Sequence, residues 1–212
     1  MILLRAKEVE FETTYINLAE KPDWFLKISP HGKVPVLAVD EDPLFESNAI
    51  AEYLEDVVAP RCHPDDAFKR ARTRAWTDFV PDFSKGINIY YTKTREEFDE
   101  KLAGAPKFLQ KLEDAIAKER GNDGPYFNGP ELCLVDAAYA PFLQRLALVE
   151  QFAQTGILQD FPLVQAWSDA LLANDVVIGS VAPSFEEVFF TNLRTRGFYV
   201  GTLLDDAVVA AE

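Results

Sequence analysis

The residues best suited to chemistry lie between His31 and Asp56, in HGKVPVLAVDEDPLFESNAIAEYLED. Val34-Pro35 leads into an apolar run, Val36 to Val39. Proline cannot donate to a sheet ladder, so it belongs at a strand start or bend. A cis bond there leaves the Val34 backbone free to pair with an extended ligand. Glu46-Ser47 then opens a run with Ala49, Ile50, Tyr53 and Leu54 at helical spacing. A helix start carries unpaired N–H groups and the positive end of the helix dipole, a combination that accepts a carboxylate. Glu46 beside it is a partner for an ammonium group. Together the two features suit a zwitterionic amino-acid head. Taken singly, they also read as a proline-led strand and a serine cap, since serine caps are common.

The other reactive side chains are less well placed. Cys62 lies near Arg61 and His63, which favour a thiolate, and Cys133 sits at a helix start, which lowers a thiol pKa too. Neither lies in a loop facing Val34 and Ser47, and a lone cysteine is most often a small buried hydrophobe. His31 and His63 fit turns rather than a base paired with a nucleophile. No metal-ligand spacing is present. No residue is assigned as catalytic.

Local signals place the elements that must hold these groups. Met1 to Lys7 reads as the end of a helix. Val9 to Asn17 alternates and is rich in strand formers. Pro22 starts a short helix to Ile28, with Trp24-Phe25 as its apolar face. Asp40 to Pro43 reverses the chain into a short return strand, Leu44-Phe45. After the helix ending near Asp56, VVAPRCHPDD breaks the pattern, and from there the chain reads almost wholly helical. Asp65-Asp66 caps a helix carrying Phe68, Ala71, Ala75, Trp76, Phe79 and Val80, kinked by Pro81. A second helix covers Arg95 to Lys118, weakened at Gly104 and Pro106. Glu119 to Glu131 is a loop. Leu134 to Val149 is the most periodic segment and reads as a core helix. Asp160-Phe161-Pro162 opens another helix, and Ser184 with Glu187 reads as a capping box. The tail, Phe198 to Glu212, holds a β-prone run at Phe198-Tyr199-Val200.

Composition bounds the function. With 48% hydrophobic and 26% charged residues, the chain is that of an ordinary globular protein. No apolar run approaches a membrane span, and the first residues are too short for a signal peptide. The net charge of −14 argues against nucleic acid, which needs a basic surface, and disfavours anionic membranes. Two cysteines make no disulfide framework, and a reducing, cytoplasmic setting fits them.

The stretch His31 to Asp56 closely resembles the glutathione-binding half of the thioredoxin-like domain of the glutathione S-transferase family. The run Tyr15 to Phe25, YINLAEKPDWF, resembles the omega-like, cysteine-using branch and its bacterial relatives. Asp136, after Cys133 in LCLVD, resembles that family's capping box, with Cys where Ser or Thr is usual; a thiol is a weak acceptor, so a poorer cap is expected. The resemblance implies an α/β thioredoxin-like domain at residues 1–57, a linker at 58–66, an all-helical domain at 67–197 and a tail at 198–212. It implies glutathione as co-substrate, with no metal: Val34 pairing with the cysteinyl part, Glu46 and Ser47 holding the γ-glutamyl head, and Lys21 reaching the glycine carboxylate. Lys21, Lys33 and Arg5 supply local positive charge. A second substrate, a small electrophile or a disulfide, is expected near Trp76, Phe79, Val80 and Phe83, though a kinked helix also buries such a stripe as core. A homodimer is implied as well.

One expected part is absent. In the cysteine-using branch a Cys-Pro motif lies between the first strand and first helix, and this sequence opens inside that helix. The missing strand is central in the family, which leaves the Val9–Asn17 strand and the Val36 strand without a ladder partner between them. Three resolutions follow: the native chain begins further upstream, the tail Phe198 to Leu204 or a partner chain supplies a strand, or the chain is a non-catalytic member. The leading expectation is therefore a glutathione-dependent thiol transferase, and the competing one a binding or structural protein of the same fold.

Overall fold

The computed structural model describes residues 1–211. Helix α1, Ile2–Ala6, is followed by a stretch without regular structure and then by α2, Asp23–Ile28. Strands β1, Val36–Val39, and β2, Asp42–Phe45, pair antiparallel as a two-stranded sheet, with Val36 opposite Phe45 and Val39 opposite Asp42. The loop is only Asp40-Glu41, with Asp40 in left-handed backbone at φ 55°. The return strand thus starts earlier than its apolar residues indicate and carries Pro43 within it. Helix α3, Ser47–Val57, packs on this sheet. Leu3, Leu4, Ile50, Leu54 and Leu134 form the small core beneath it, with Val9, Phe11, Leu37 and Leu44 at its margin.

After the turns at 58–66 every regular element among the described residues is helical: α4 Ala67–Asp78, α5 Val80–Ile87, a 3-10 turn Ile89–Tyr91, α6 Arg95–Gly104, α7 Pro106–Glu119, α8 Leu134–Ala153, α9 Pro162–Leu172, α10 Asp175–Ile178, α11 Phe185–Thr195 and α12 Tyr199–Ala211. Asp66 caps α4 by accepting the Lys69 amide at 2.8 Å. Pro81 and Pro106 each turn one expected helix into two. The junction residues Phe79 and Ala105 keep helical backbone, so each proline sits in the first turn of a new helix, where its missing N–H costs nothing. The large core gathers around α8, which buries Val135, Tyr139, Leu143, Leu146 and Val149. This α/β domain followed by an all-helical one is the expected architecture.

Four local expectations fail. Val9 to Asn17 is not a strand. Strand propensity needs a ladder to act on, and no described segment pairs with it. The tail is not a strand either: Tyr199 and Val200 begin α12, where Val200 is fully buried, Tyr199 lies 5.3 Å from the Phe98 ring and its amide bonds Thr92 O at 2.9 Å. The last tail residue, Glu212, lies outside the described residues. Ser184 makes no cap bond, because its backbone (φ −87°, ψ 9°) is not extended as a capping serine requires. Phe68 and Trp24 are exposed, whereas Phe25 alone fills the core position of α2. Among the described residues no helix is long and apolar enough to cross a membrane.

Candidate functional site

The start of α3 is open. Glu46 occupies the cap position in left-handed backbone (φ 68°, ψ 119°), and no side chain caps the helix. Ser47 is therefore the first helical residue and not the capping one, which corrects the serine-cap reading. Residues 46–49 are all exposed. Only from Ile50, whose amide bonds Glu46 O at 2.9 Å, does the helical ladder begin. The amides of Ser47, Asn48 and Ala49 have no protein acceptor among the described residues, which leaves a helix-dipole end ready for an anion. A non-glycine residue with positive φ costs on the order of 1–3 kcal/mol and tends to be kept where the conformation has a use.

Around this end the chain brings the other candidates together. The Val34–Pro35 peptide is cis, and the Val34 backbone has no protein partner among the described residues. The turn before it places Gly32 at φ 58°, with the Lys21 ammonium 3.8 Å from where a Cβ on Gly32 would stand. His31 packs edge-on against Phe45, ring centroids 5.6 Å apart, and its Nε2 lies 3.9 Å from Glu46 Oε1. Lys21, the Gly32 turn, His31 and Glu46 thus form one continuous exposed run. Asn48 joins this run to the helical domain by donating to Asp78 Oδ1 at 3.1 Å. Arg5 does not belong to it, because its guanidinium packs against Gly179.

The aromatic stripe is mainly core. Phe83 is fully buried against Tyr139 and Phe142, so it lines no cleft and the pocket role expected of it is withdrawn. Trp76 is half-buried on Phe127, and its indole N–H donates to Glu119 Oε1 at 3.4 Å. Phe79 is half-buried, stacked on Phe108 with the Lys111 ammonium 4.9 Å above its ring. Val80 is half-buried beside them.

Neither cysteine lies in surroundings that favour a thiolate. Burial, then the Glu55 carboxylate, pushes the Cys62 thiol up to about 11. Burial first, then Asp136, raises the Cys133 thiol well above its ordinary range. Two networks escaped the sequence reading. Lys7 is buried and donates to Val58 O, Pro60 O and Glu55, while Glu55 accepts the amides of Cys62 and His63. Glu52 binds Arg74 and His63, and the Arg74 hydrogen bond first of all holds its carboxyl down at about 2. The available signal was the spacing of Glu52 with Asp56 and of Arg70 with Arg74, each one helical turn apart.

A two-layer α/β domain with an open helix end, followed by a helical domain, is the architecture of a glutathione transferase. The family model described as the glutathione S-transferase N-terminal domain matches residues 1–56, and that for the glutathione S-transferase C-terminal domain matches residues 95–170. Glutathione S-transferase U19 of Arabidopsis thaliana is 32% identical over 202 residues, covering 92% of this chain and 89% of the relative. Glutathione S-transferase U22 of the same plant is 30% identical over 203 residues, covering 93% and 90%. The chain belongs to the glutathione S-transferase family, with a thioredoxin-like first domain. Among solved structures, glutathione transferase Omega 3C from Trametes versicolor superposes with a TM-score of 0.73 at 25% identity, covering 92% of this chain and 84% of that one. The Tau class enzyme of mango, Mangifera indica, gives 0.78 at 24% identity, covering 91% and 90%.

Proposed function

We propose that this chain is a glutathione transferase that holds glutathione along the run from Lys21 to Ser47. The observation that carries this is the open start of α3, with three unpaired amides beside the exposed Glu46 carboxylate. The γ-glutamyl carboxylate meets those amides and the Ser47 hydroxyl, and its ammonium meets Glu46. The cysteinyl part pairs with the Val34 backbone in the manner of an added strand, and the glycine carboxylate meets Lys21. On this reading residues 1–57 are the glutathione-binding domain, 58–66 the linker and 67–197 the helical domain, and the protein works as a homodimer. The acceptor is a small-molecule electrophile or disulfide, lying near Trp76, Phe79 and Val80. The experiment is calorimetric titration of glutathione into the wild type, Glu46→Gln and Ser47→Ala. Tight binding by the wild type that both substitutions weaken supports the site, and equal affinity in all three removes it.

The reaction type has two readings. Likeness to Omega 3C favours omega-like thiol transfer, in which a cysteine thiolate attacks the glutathione sulfur of a glutathionylated substrate, forms a mixed disulfide with glutathione and releases the substrate thiolate. That step needs a thiolate, and with Cys62 and Cys133 both raised it is drawn from neither. The named plant relatives favour conjugation, in which the bound glutathione thiolate itself attacks an electrophile. Parallel assays with a glutathionylated small disulfide and with a haloaromatic acceptor separate the two. Glutathione binding with no turnover of either would instead support the non-catalytic reading.

A further inference from the structure

Away from the Lys21–Ser47 run, a cavity of about 250 Å³ opens between the C-terminal half of α8, the loop that follows it and α9. Its walls take nothing from the first domain, the linker, α4 or α5. Leu143, Leu146 and Ala147 of α8 and Leu172 of α9 make the walls largely apolar. Glu150 and Asp169 also line it, and no lysine, arginine or histidine does. Among the described residues neither carboxylate forms an ion pair. Glu150 is fixed in place: it accepts the Thr155 hydroxyl, the Thr155 amide at 3.2 Å and the Gly156 amide at 2.9 Å. The loop turns back this way because Gln154 and Gly156 both take positive φ, 49° and 63°. Asp169 Oδ1 accepts the Gln165 side-chain amide at 2.8 Å, and Oδ2 has no protein donor among the described residues. Helix α8 ends three residues after Glu150 with no basic side chain in its last turn, so the negative end of its dipole is uncompensated here. Ser168 is an independent sign of a ligand. It is 2% exposed, it lines the cavity, and its hydroxyl forms no hydrogen bond among the described residues. Buried hydroxyls are ordinarily paired, in a helix often with the carbonyl four residues back, so this one is left for a group inside the cavity.

A cavity with apolar walls, two carboxylates and no basic side chain is complementary to a small apolar body carrying one positive charge. We infer that it binds a short-chain primary ammonium ion. The ammonium donates to Glu150, Asp169 and the Ser168 hydroxyl, and the alkyl chain lies against Leu143, Leu146 and Leu172. The volume lies below that of most ligand sites, which restricts the guest to a small molecule. The two carboxylates repel an anionic guest such as glutathione, so this cavity and the start of α3 select ligands of opposite charge.

The test is calorimetric titration of the full chain with n-butylammonium chloride, with n-butanol and butyrate as controls of the same chain length. Saturable binding of n-butylammonium is expected, with each control about tenfold weaker or more. Asp169→Asn, at an exposed position, and Ser168→Ala, which removes an unpaired hydroxyl, should each weaken it about tenfold without lowering the thermal midpoint. Glu46→Gln should weaken glutathione and leave n-butylammonium unchanged, so the two sites fail separately. No saturable binding overturns the inference. So does n-butanol binding as tightly as the ammonium, which marks an apolar void alone. Unchanged affinity in Asp169→Asn overturns it as well, and so does weakened n-butylammonium binding in Glu46→Gln, which places the cation at that carboxylate instead.

Discussion

Helices α3 and α8 begin in opposite ways. At the start of α8 a capping box joins Cys133 and Asp136, and the Asp136 carboxylate accepts the Cys133 amide at 2.7 Å, the Phe127 amide at 2.9 Å and the Trp167 indole N–H at 2.6 Å. Asp136 is fully buried, and burial raises its pKa against the pull of those donors. At the start of α3 three amides have no partner among the described residues, residues 46–49 are exposed, and Glu46 is held in left-handed backbone. One helix start is closed by its own capping box, whose carboxylate also ties a loop to the core, and the other faces solvent. A helix end satisfied from within gives rigidity and has nothing left to offer a ligand. One left unsatisfied costs stability and keeps its field available.

The largest test of this contrast is Asp136→Ala. It removes the buried charged partner of three donors, so a loss of roughly 3–5 kcal/mol is expected. Denaturant unfolding measures it, and glutathione affinity of the folded fraction should be unchanged. A loss below about 1 kcal/mol would mean that the α8 start is not a stabilising node.

The α3 start should respond in the reverse sense. Glu46→Gln and Ser47→Ala each remove a charge-assisted contact worth about 1.5–3 kcal/mol, so glutathione should bind about ten- to a hundredfold more weakly. Because Ser47 caps nothing, its replacement should move the denaturant midpoint by less than about 0.5 kcal/mol. A stability loss near 1 kcal/mol with unchanged affinity would restore the serine-cap reading.

Glu46→Gly probes the backbone itself. Glycine adopts positive φ without penalty, so stability should hold or rise by up to about 1 kcal/mol while glutathione binding falls. A clear loss of stability would show that the Glu46 side chain, and not the ligand, is what keeps this conformation.

The smallest effect concerns acid. The Glu52 carboxyl lies at about 2 in the folded chain against an ordinary 4.5. The unfolded chain therefore takes up the proton first. The stabilisation from Glu52 is complete above about pH 4.5 and fades as pH falls toward 2. Since Glu52 is partly exposed, solvent screens much of it. Glu52→Gln should flatten that part of the acid stability curve, and an unaltered slope between those pH values would show that the pair with Arg74 carries no net weight.

What the sequence determined by itself was whatever depends on near neighbours. The Asp66 cap, the breaks at Pro81 and Pro106, the chain reversal at Asp40 and the periodic helix from Leu134 are set by residues a few positions apart, and all appear. The extended Val34, Glu46 and Ser47 arrangement was legible because a proline, a strand and a helix start follow one another directly. The tertiary structure decided everything that needs a distant partner. Val9 to Asn17 has strand-forming side chains and no ladder, so it stays irregular. Tyr199 and Val200 have the same bias and are drawn into a helix by burial against α6 and α8. Phe83 went into the core and Asn48 found Asp78 across the domain boundary. The Glu52–Arg74 pair forms only because the fold brings α4 within reach of α3. Side-chain burial and ion pairing are set by which surfaces meet, and no spacing along the chain records that.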